Sequence, residues 1–142
     1  MSDWTYRGAP LIETGDAITW LGFIYLITNL SNGKKYVGRK LFTSAATRQI
    51  KGKKKKYRKD SGWQNYWSSS EDVKADVILF GKAMFTREIL HLCETKSELT
   101  YMENWELFTR HALIRTDFYN QWLTCRVRKS NLVKTKLPVL FA

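Results

Sequence analysis

Gly22-Phe23-Ile24-Tyr25-Leu26-Ile27-Thr28-Asn29, then Leu30-Ser31-Asn32-Gly33, then Lys34-Lys35-Tyr36-Val37-Gly38 is the stretch on which the fold turns. It reads as a β-hairpin. The first arm is apolar and rich in β-branched and aromatic residues, as strands are. Asn32-Gly33 marks the turn, because both residues tolerate φ > 0. The second arm is short and closes on Gly38. Each arm carries one tyrosine, Tyr25 and Tyr36, so one rigid backbone unit holds two phenols close together.

Around this hairpin the composition is that of a soluble globular protein. At 142 residues the chain reads as a single domain, long enough to bury roughly two-thirds of its unfolded surface. No apolar run approaches the ~20 residues of a membrane span. Met1-Ser2-Asp3-Trp4 shows no basic or apolar leader, so a cytoplasmic protein is expected. In that setting Cys93 and Cys125 are expected as reduced thiols. Neither cysteine has a second cysteine or a histidine at metal-ligand spacing, which argues against a zinc site.

The net charge of +11 is unevenly placed. Residues 34–59 carry twelve bases and no acid, and residues 118–142 carry five bases and no acid. Clustered positive charge is the footprint of a polyanion partner. Because the run is long, free of acids and accompanied by aromatics, nucleic acid is the expected partner. A membrane surface is disfavoured, since the run contains Gly52 and a lysine block instead of an amphipathic apolar face.

Along the chain, Trp4, Tyr6, Leu11, Ile12, Ile18 and Trp20 are expected to cover one edge of the core. Residues 39–62 read as a basic insertion, a loop with one short helical stretch around Ala45 to Ile50. Lys53-Lys54-Lys55-Lys56 repel one another and are expected to be mobile without a partner. Ser68-Ser69-Ser70-Glu71-Asp72 starts a helix, with a serine cap and carboxylates in the first turn. Val73, Val77 and Phe80 follow at helical spacing, and Gly81 is a stop. Met84 to Cys93 reads as a third strand. Thr95-Lys96-Ser97-Glu98 is a capping box opening a helix expected to run to about Arg115. After it, Phe118 to Val127 suggests a short extended segment, and residues 126–142 a basic tail. The order suggests an α+β fold: a small three-stranded antiparallel sheet starting with the hairpin, flanked by helices.

The long helix combines a broad apolar face (Tyr101, Met102, Trp105, Phe108, Ala112, Leu113) with Leu99, Leu107 and Ile114 beyond a narrow polar stripe. The stripe is Glu103, Glu106 and Arg110. Carboxylates flanked by apolar residues on both sides belong in a cleft or partly buried, where they need a cation, a metal or hydrogen bonds. An i,i+4 pair with Arg110 explains Glu106 and leaves Glu103 as the functional candidate. The lone histidines His91 and His111 read as structural or surface residues. Two tyrosines on a hairpin, a dense basic segment and one carboxylate suit phosphodiester cleavage. That reaction needs an activated water, charge compensation on the phosphate and protonation of the leaving oxygen. One carboxylate can hold a Mg²⁺ that keeps most of its waters. Tyrosine serves as a base only with a lowered pKa, which the basic surroundings are expected to supply.

At this point the chain resembles the GIY-YIG nucleases. Phe23-Ile24-Tyr25 is similar to the first motif, with Phe23 in the glycine's place and Gly22 one position earlier. Tyr36-Val37-Gly38 is similar to the second, and Asn29, Asn32-Gly33 and Lys34 between them also resemble the family. Gly81 to Leu90 resembles the domain's third strand. Glu103, in Tyr101-Met102-Glu103-Asn104-Trp105, sits where the family has its metal-binding glutamate. Asn120 sits where a family asparagine closes the core. The resemblance covers residues 20–125. It implies a DNA endonuclease with Mg²⁺ or Mn²⁺ on Glu103, an attacking water near Tyr25 or Tyr36, Gly38 and Asn120 as structural residues, and a phosphate-holding arginine after the second motif. For that cation Arg48 is the choice by distance, with Lys40, Arg39 and Arg58 as rivals. Arg39, Lys53, Lys54, Lys55, Lys56, Arg58 and Lys59, with Arg126, Arg128, Lys129, Lys134 and Lys136 of the tail, would grip the DNA backbone, and Trp63, Tyr66 and Trp67 would either stack on unpaired or distorted bases or pack at the core edge ahead of the helix, with packing expected for at least two of them. The expected substrate is double-stranded DNA and the expected state a monomer or homodimer. The resemblance also implies a compact phage- or mobile-element-like enzyme, similar to homing endonucleases. The alternative is a catalytically inactive nucleic-acid-binding protein on the same scaffold.

Overall fold

The computed structural model describes residues 4–11 and 19–140. In chain order these form β1 (Trp4–Tyr6), β2 (Ala9–Pro10), β3 (Gly22–Asn29), β4 (Lys35–Leu41), β5 (Thr43–Ile50), β6 (Lys53–Asp60), α1 (Glu71–Phe80), β7 (Phe85–Cys93), α2 (Lys96–Thr109), α3 (Lys129–Leu132) and α4 (Leu137–Leu140). The fold is α+β. Its sheet is larger than the expected three antiparallel strands: five strands in the order β2-β1-β7-β3-β4, with β1 parallel to β7. A three-residue strand such as β1 is too short to show a period of its own. Burial of Trp4 and its pairing with Arg87 hold it there. Ile12 and Ile18 lie outside the described residues.

Strand β3 lies inside the sheet between β7 and β4 and is buried on both faces. Phe23, Tyr25 and Ile27 enter one core with Trp4, Phe42, Trp63 and the α1 residues Val73 and Val77. Ile24 and Leu26 enter a second core with Val37 and the α2 residues Leu99, Met102 and Leu107. The alternation of side chains along a strand thus puts one helix on each face of the sheet. Phe23, in the motif glycine's position, packs against Phe42 at 4.8 Å and Trp4 at 5.1 Å between ring centroids.

The expected hairpin is β3–β4, and its second arm runs past Gly38 to Leu41. In the turn only Gly33 takes a positive φ, 75°. Asn32 contributes through its side-chain oxygen, which accepts from the Lys34 N–H at 2.9 Å. Strand β4 is the sheet edge, and the chain after α2 covers it. The Tyr119 N–H donates to the Lys35 carbonyl at 2.7 Å. The Asn120 amide both accepts from the Val37 N–H (3.0 Å) and donates to the Val37 carbonyl (2.8 Å), as a neighbouring strand would. Tyr119 further ties the layers together, donating to Asp76 of α1 at 2.6 Å and accepting from Asn29 at 3.1 Å.

Both helix starts are as expected. The Ser70 hydroxyl caps α1 and the Thr95 hydroxyl caps α2. Helix α2 stops at Thr109 instead of near Arg115, where His111 takes φ 55°. Its buried side is Leu99, Met102 and Leu107, while Tyr101, Trp105 and Phe108 of the expected apolar face point outward, as does Phe80 of α1. Residues 119–128 form no strand, and the tail folds into the two short helices. No helix among the described residues is long and apolar enough to cross a membrane.

The largest departure is at residues 39–62. The expected loop, the helical stretch at 45–50 and the mobile lysine block are replaced by a second hairpin, β5–β6, paired over its full length. In an extended strand successive lysines point to opposite faces, so Lys53-Lys54-Lys55-Lys56 is divided into two pairs. The partner strand offers mostly small or neutral residues opposite them: Ile50, Gln49, Arg48 and Thr47. Lys51 and Gly52 make the turn with φ 51° and 76°, the positive values a two-residue turn between twisted strands requires.

Candidate active site

A cleft of about 1100 Å³ runs along the edge strand β4. Tyr36, Arg39 and Lys40 enter it from β4, Glu103 from α2, and Tyr66 and Ser69 from the segment leading into α1. The hairpin and the long helix, about seventy residues apart in sequence, thus meet here because α2 packs on the sheet face beside β4.

Arg39 bridges the two sides. Its Nη1 donates to Thr100 Oγ1 of α2 at 2.7 Å, and its Nε lies 4.0 Å from Glu103 Oε1. Burial pushes the Glu103 carboxyl above its ordinary value, against the opposing charge of Arg39. The stripe neighbour Glu106 is bound to other residues. It accepts from Arg110 Nε at 2.6 Å and pairs with His91 Nε2 at 2.8 Å. Burial alone would raise the Glu106 carboxyl, but the bonds to His91 and Arg110 outweigh it and the net shift is downward. Of the two carboxylates, Glu103 is the one facing the cleft.

The two motif tyrosines differ. Tyr25 is fully buried, and its hydroxyl has no hydrogen-bond partner among the described residues. Its ring lies over Gly38, where a Cβ would come within 2.4 Å of the hydroxyl. The second motif ends in glycine for that reason. Tyr36 stands at the cleft wall, 6.1 Å from Tyr25 between ring centroids, with its hydroxyl 3.4 Å from that of Ser69. The expected lowering of the phenol pKa is reversed in both. Burial raises Tyr25 well above its ordinary value, with Tyr66 and Tyr36 adding to the shift. Burial also raises Tyr36, against the Ser69 hydrogen bond. The Lys40 ammonium sits over the ring of Tyr66 at 4.3 Å. Tyr66 itself lies 5.9 Å from Tyr25, edge to face.

The other expected site residues are dispersed. Arg48 is on strand β5, not on a helix, stacked over Tyr57 at 5.2 Å and outside the cleft lining. Lys53, Lys54, Lys55, Lys56 and Lys59 are exposed on β6. Arg58, also on β6, donates to the Thr43 hydroxyl and carbonyl at 3.0 and 2.6 Å. Trp63 is corrected from a base-stacking residue to a core residue: it is 1% exposed between Phe23 and Phe42, leaving no free face for a base. Its carbonyl accepts from Trp4 Nε1 at 2.9 Å. Tyr66 and its ammonium neighbour were not legible as a pair. The only signal was an aromatic directly ahead of a serine cap, and Arg87 decides its place by donating to the Gln64 and Tyr66 carbonyls at 3.1 and 2.8 Å.

Among the described residues no three histidine, cysteine, aspartate or glutamate side chains cluster as a ligand set. Glu71 and Asp72 of α1 also line the cleft, but the three carboxylates do not gather into one ligand cluster, so a cation held at Glu103 would draw most of its shell from elsewhere. That suits Mg²⁺, which is commonly held by one or two carboxylates, with waters and phosphate oxygens completing its shell.

Residues 4–123 match the family model described as "Putative endonuclease segE, GIY-YIG domain". Comparison with curated proteins and with solved structures gives no match.

Proposed function

The chain belongs to the GIY-YIG family of the segE endonuclease domain, and from that premise we propose that it is a metal-dependent endonuclease hydrolysing phosphodiester bonds in double-stranded DNA. What supports the reading is the convergence of Tyr36, Arg39 and Lys40 with Glu103 on one cleft. Glu103 would hold the Mg²⁺ or Mn²⁺. The chemistry such a cation supplies when bound is charge compensation on the scissile phosphate and polarisation of its P–O bonds.

The protein's own groups do the rest. Arg39, braced by Thr100, and Lys40 present two cations to the phosphate oxygens. In this role they replace Arg48, which lies on the exposed hairpin. Tyr36, kept neutral by burial, orients the attacking water through its phenolic oxygen and exchanges its own proton with Ser69. Tyr25, without access to the cleft, positions the Tyr36 ring. In the hydrolysis the water oxygen bonds to phosphorus and gives up a proton to solvent, the P–O bond to the leaving strand breaks, and the leaving oxygen takes up a proton from solvent.

Supercoiled plasmid with Mg²⁺ tests this reading. Wild type is expected to nick or linearise it. Glu103→Ala should lose at least about 100-fold, the scale of a lost charge-stabilising centre. Tyr36→Phe, Arg39→Ala and Lys40→Ala should each lose activity while retaining DNA binding. An inactive wild type that still binds DNA would overturn hydrolysis in favour of a binding protein on this scaffold. Because burial raises the Glu103 carboxyl, a proton competes with the cation at higher pH than for an ordinary glutamate. Metal-dependent cleavage should therefore decline as pH falls while still above the usual carboxylate range.

A further inference from the structure

Hairpin β5–β6 forms a two-stranded sheet of its own, apart from the five-stranded sheet. At its root, the Ser61 N–H donates to the Phe42 carbonyl at 3.0 Å and the Ser61 hydroxyl to the Leu41 carbonyl at 2.5 Å. Each strand has eight residues, which makes a ribbon roughly 26 Å long. Such a ribbon is at best marginally stable alone.

Its register sorts the side chains. One face carries Ser44 opposite Lys59, Ala46 opposite Tyr57, Arg48 opposite Lys55 and Ile50 opposite Lys53. That face has four cations and no acid. The other face holds Lys54, Lys56 and Arg58, but Asp60 lies at its root, and Arg58 is tied to Thr43. Ser44, at the base of the first face, also lines the catalytic cleft. The cation-rich face therefore meets the cleft at Ser44 and extends away from it. It contains a like-charge pair directly across the strands, Arg48 and Lys55, which costs stability in the free protein. A polyanion laid on that face removes the cost.

We propose that β5–β6 is a ribbon arm that lies in the major groove of duplex DNA to one side of the cut, with Arg48, Lys53, Lys55 and Lys59 turned to the DNA. The assignment rests on the endonuclease reading above and says where its substrate runs. A major groove about 12 Å wide admits a two-stranded ribbon, whereas a minor groove about 6 Å wide does not. Arg48, held against Tyr57, is then a contact residue of the groove and its flanking phosphates. At 3.4 Å per base pair, the ribbon covers roughly 7 base pairs beyond the scissile bond.

The test compares two variants of the full chain with equal charge loss at neighbouring exposed positions, Lys53→Gln/Lys55→Gln and Lys54→Gln/Lys56→Gln. Affinity for a labelled random-sequence duplex is read by fluorescence anisotropy in EDTA across a salt series. The first variant should lose about 30-fold at 0.15 M salt, with the salt slope shallower by about 2, as expected for two lost phosphate contacts. The second should lose less than about 3-fold. Methyl green, a major-groove ligand, should displace the protein, and netropsin, a minor-groove ligand, should not. Equal losses in the two variants, or displacement by netropsin alone, would overturn the proposal. Nicking in Mg²⁺ is read separately. Face asymmetry without nicking overturns hydrolysis and keeps the ribbon, while nicking without asymmetry does the reverse.

Discussion

Two hairpins follow one another in this chain and share little beyond geometry. In β3–β4 the first strand is buried almost throughout and feeds both cores. In β5–β6 the second strand is exposed at every position. The first hairpin has its register set by the core, because a slip of one residue would turn Tyr25 and Ile24 to the wrong faces. The second has no core to consult, and its register is set by the Lys51-Gly52 turn. One hairpin lines the cleft; the other carries the densest positive charge of the chain.

The largest test of this contrast is Phe23→Ala. It removes a ring packed among Trp4, Phe42 and Trp63 and should cost about 3–5 kcal/mol in urea unfolding. A loss under about 1 kcal/mol would break the comparison. Next, Gly38→Ala forces a methyl into the Tyr25 ring. Overpacking of this kind costs about 1–3 kcal/mol, and the accompanying shift of Tyr25 should lower nicking activity as well as the unfolding midpoint.

Glu106→Gln tests how β7 is anchored to α2 through His91. Loss of charge-assisted bonds there should cost about 1–3 kcal/mol at neutral pH. The Glu106 carboxyl is lowered in the fold, so its stabilisation is present above the unfolded carboxylate pKa and is lost as pH falls through the folded one. The difference between wild type and Glu106→Gln should therefore shrink in acid. Glu103, raised in the fold, works in the opposite direction. Its contribution to stability is full below the unfolded pKa and is lost as pH rises through the folded one.

The smallest expected effect belongs to the ribbon. Gly52→Ala strains a residue at φ 76° by about 1 kcal/mol, yet the global unfolding midpoint should not move, because the ribbon can open without the core. Amide exchange is the direct measurement: residues 43–60 should exchange fast and β3 slowly. Strong protection across both hairpins would show that the ribbon is part of the cooperative unit.

Much of the buried hairpin and its site could be read from sequence. Apolar patterning and the Asn32-Gly33 turn located the hairpin, helix caps at Ser70 and Thr95 located the helix starts, and the i,i+4 spacing of Glu106 and Arg110 singled out Glu103 by difference. These are local signals. The parallel strand β1 was not legible, because its pairing spans some eighty residues. Nor was the outward turn of Tyr101, Trp105 and Phe108, since a helix that is apolar on several sides does not say which side the sheet will take.

The sequence by itself therefore determined the first hairpin, the two helix starts, the placement of charge and the candidates Tyr25, Tyr36 and Glu103, because each follows from spacing within one element or from composition. Only the tertiary structure decided which cation stands beside Glu103, that Tyr25 is enclosed while Tyr36 faces the cleft, and that the lysine block is one edge of a ribbon. Those outcomes depend on burial and on distances between elements far apart in the chain. Burial sets the phenols and the carboxyl, and register selects Arg39 over Arg48, neither of which is encoded in any single stretch.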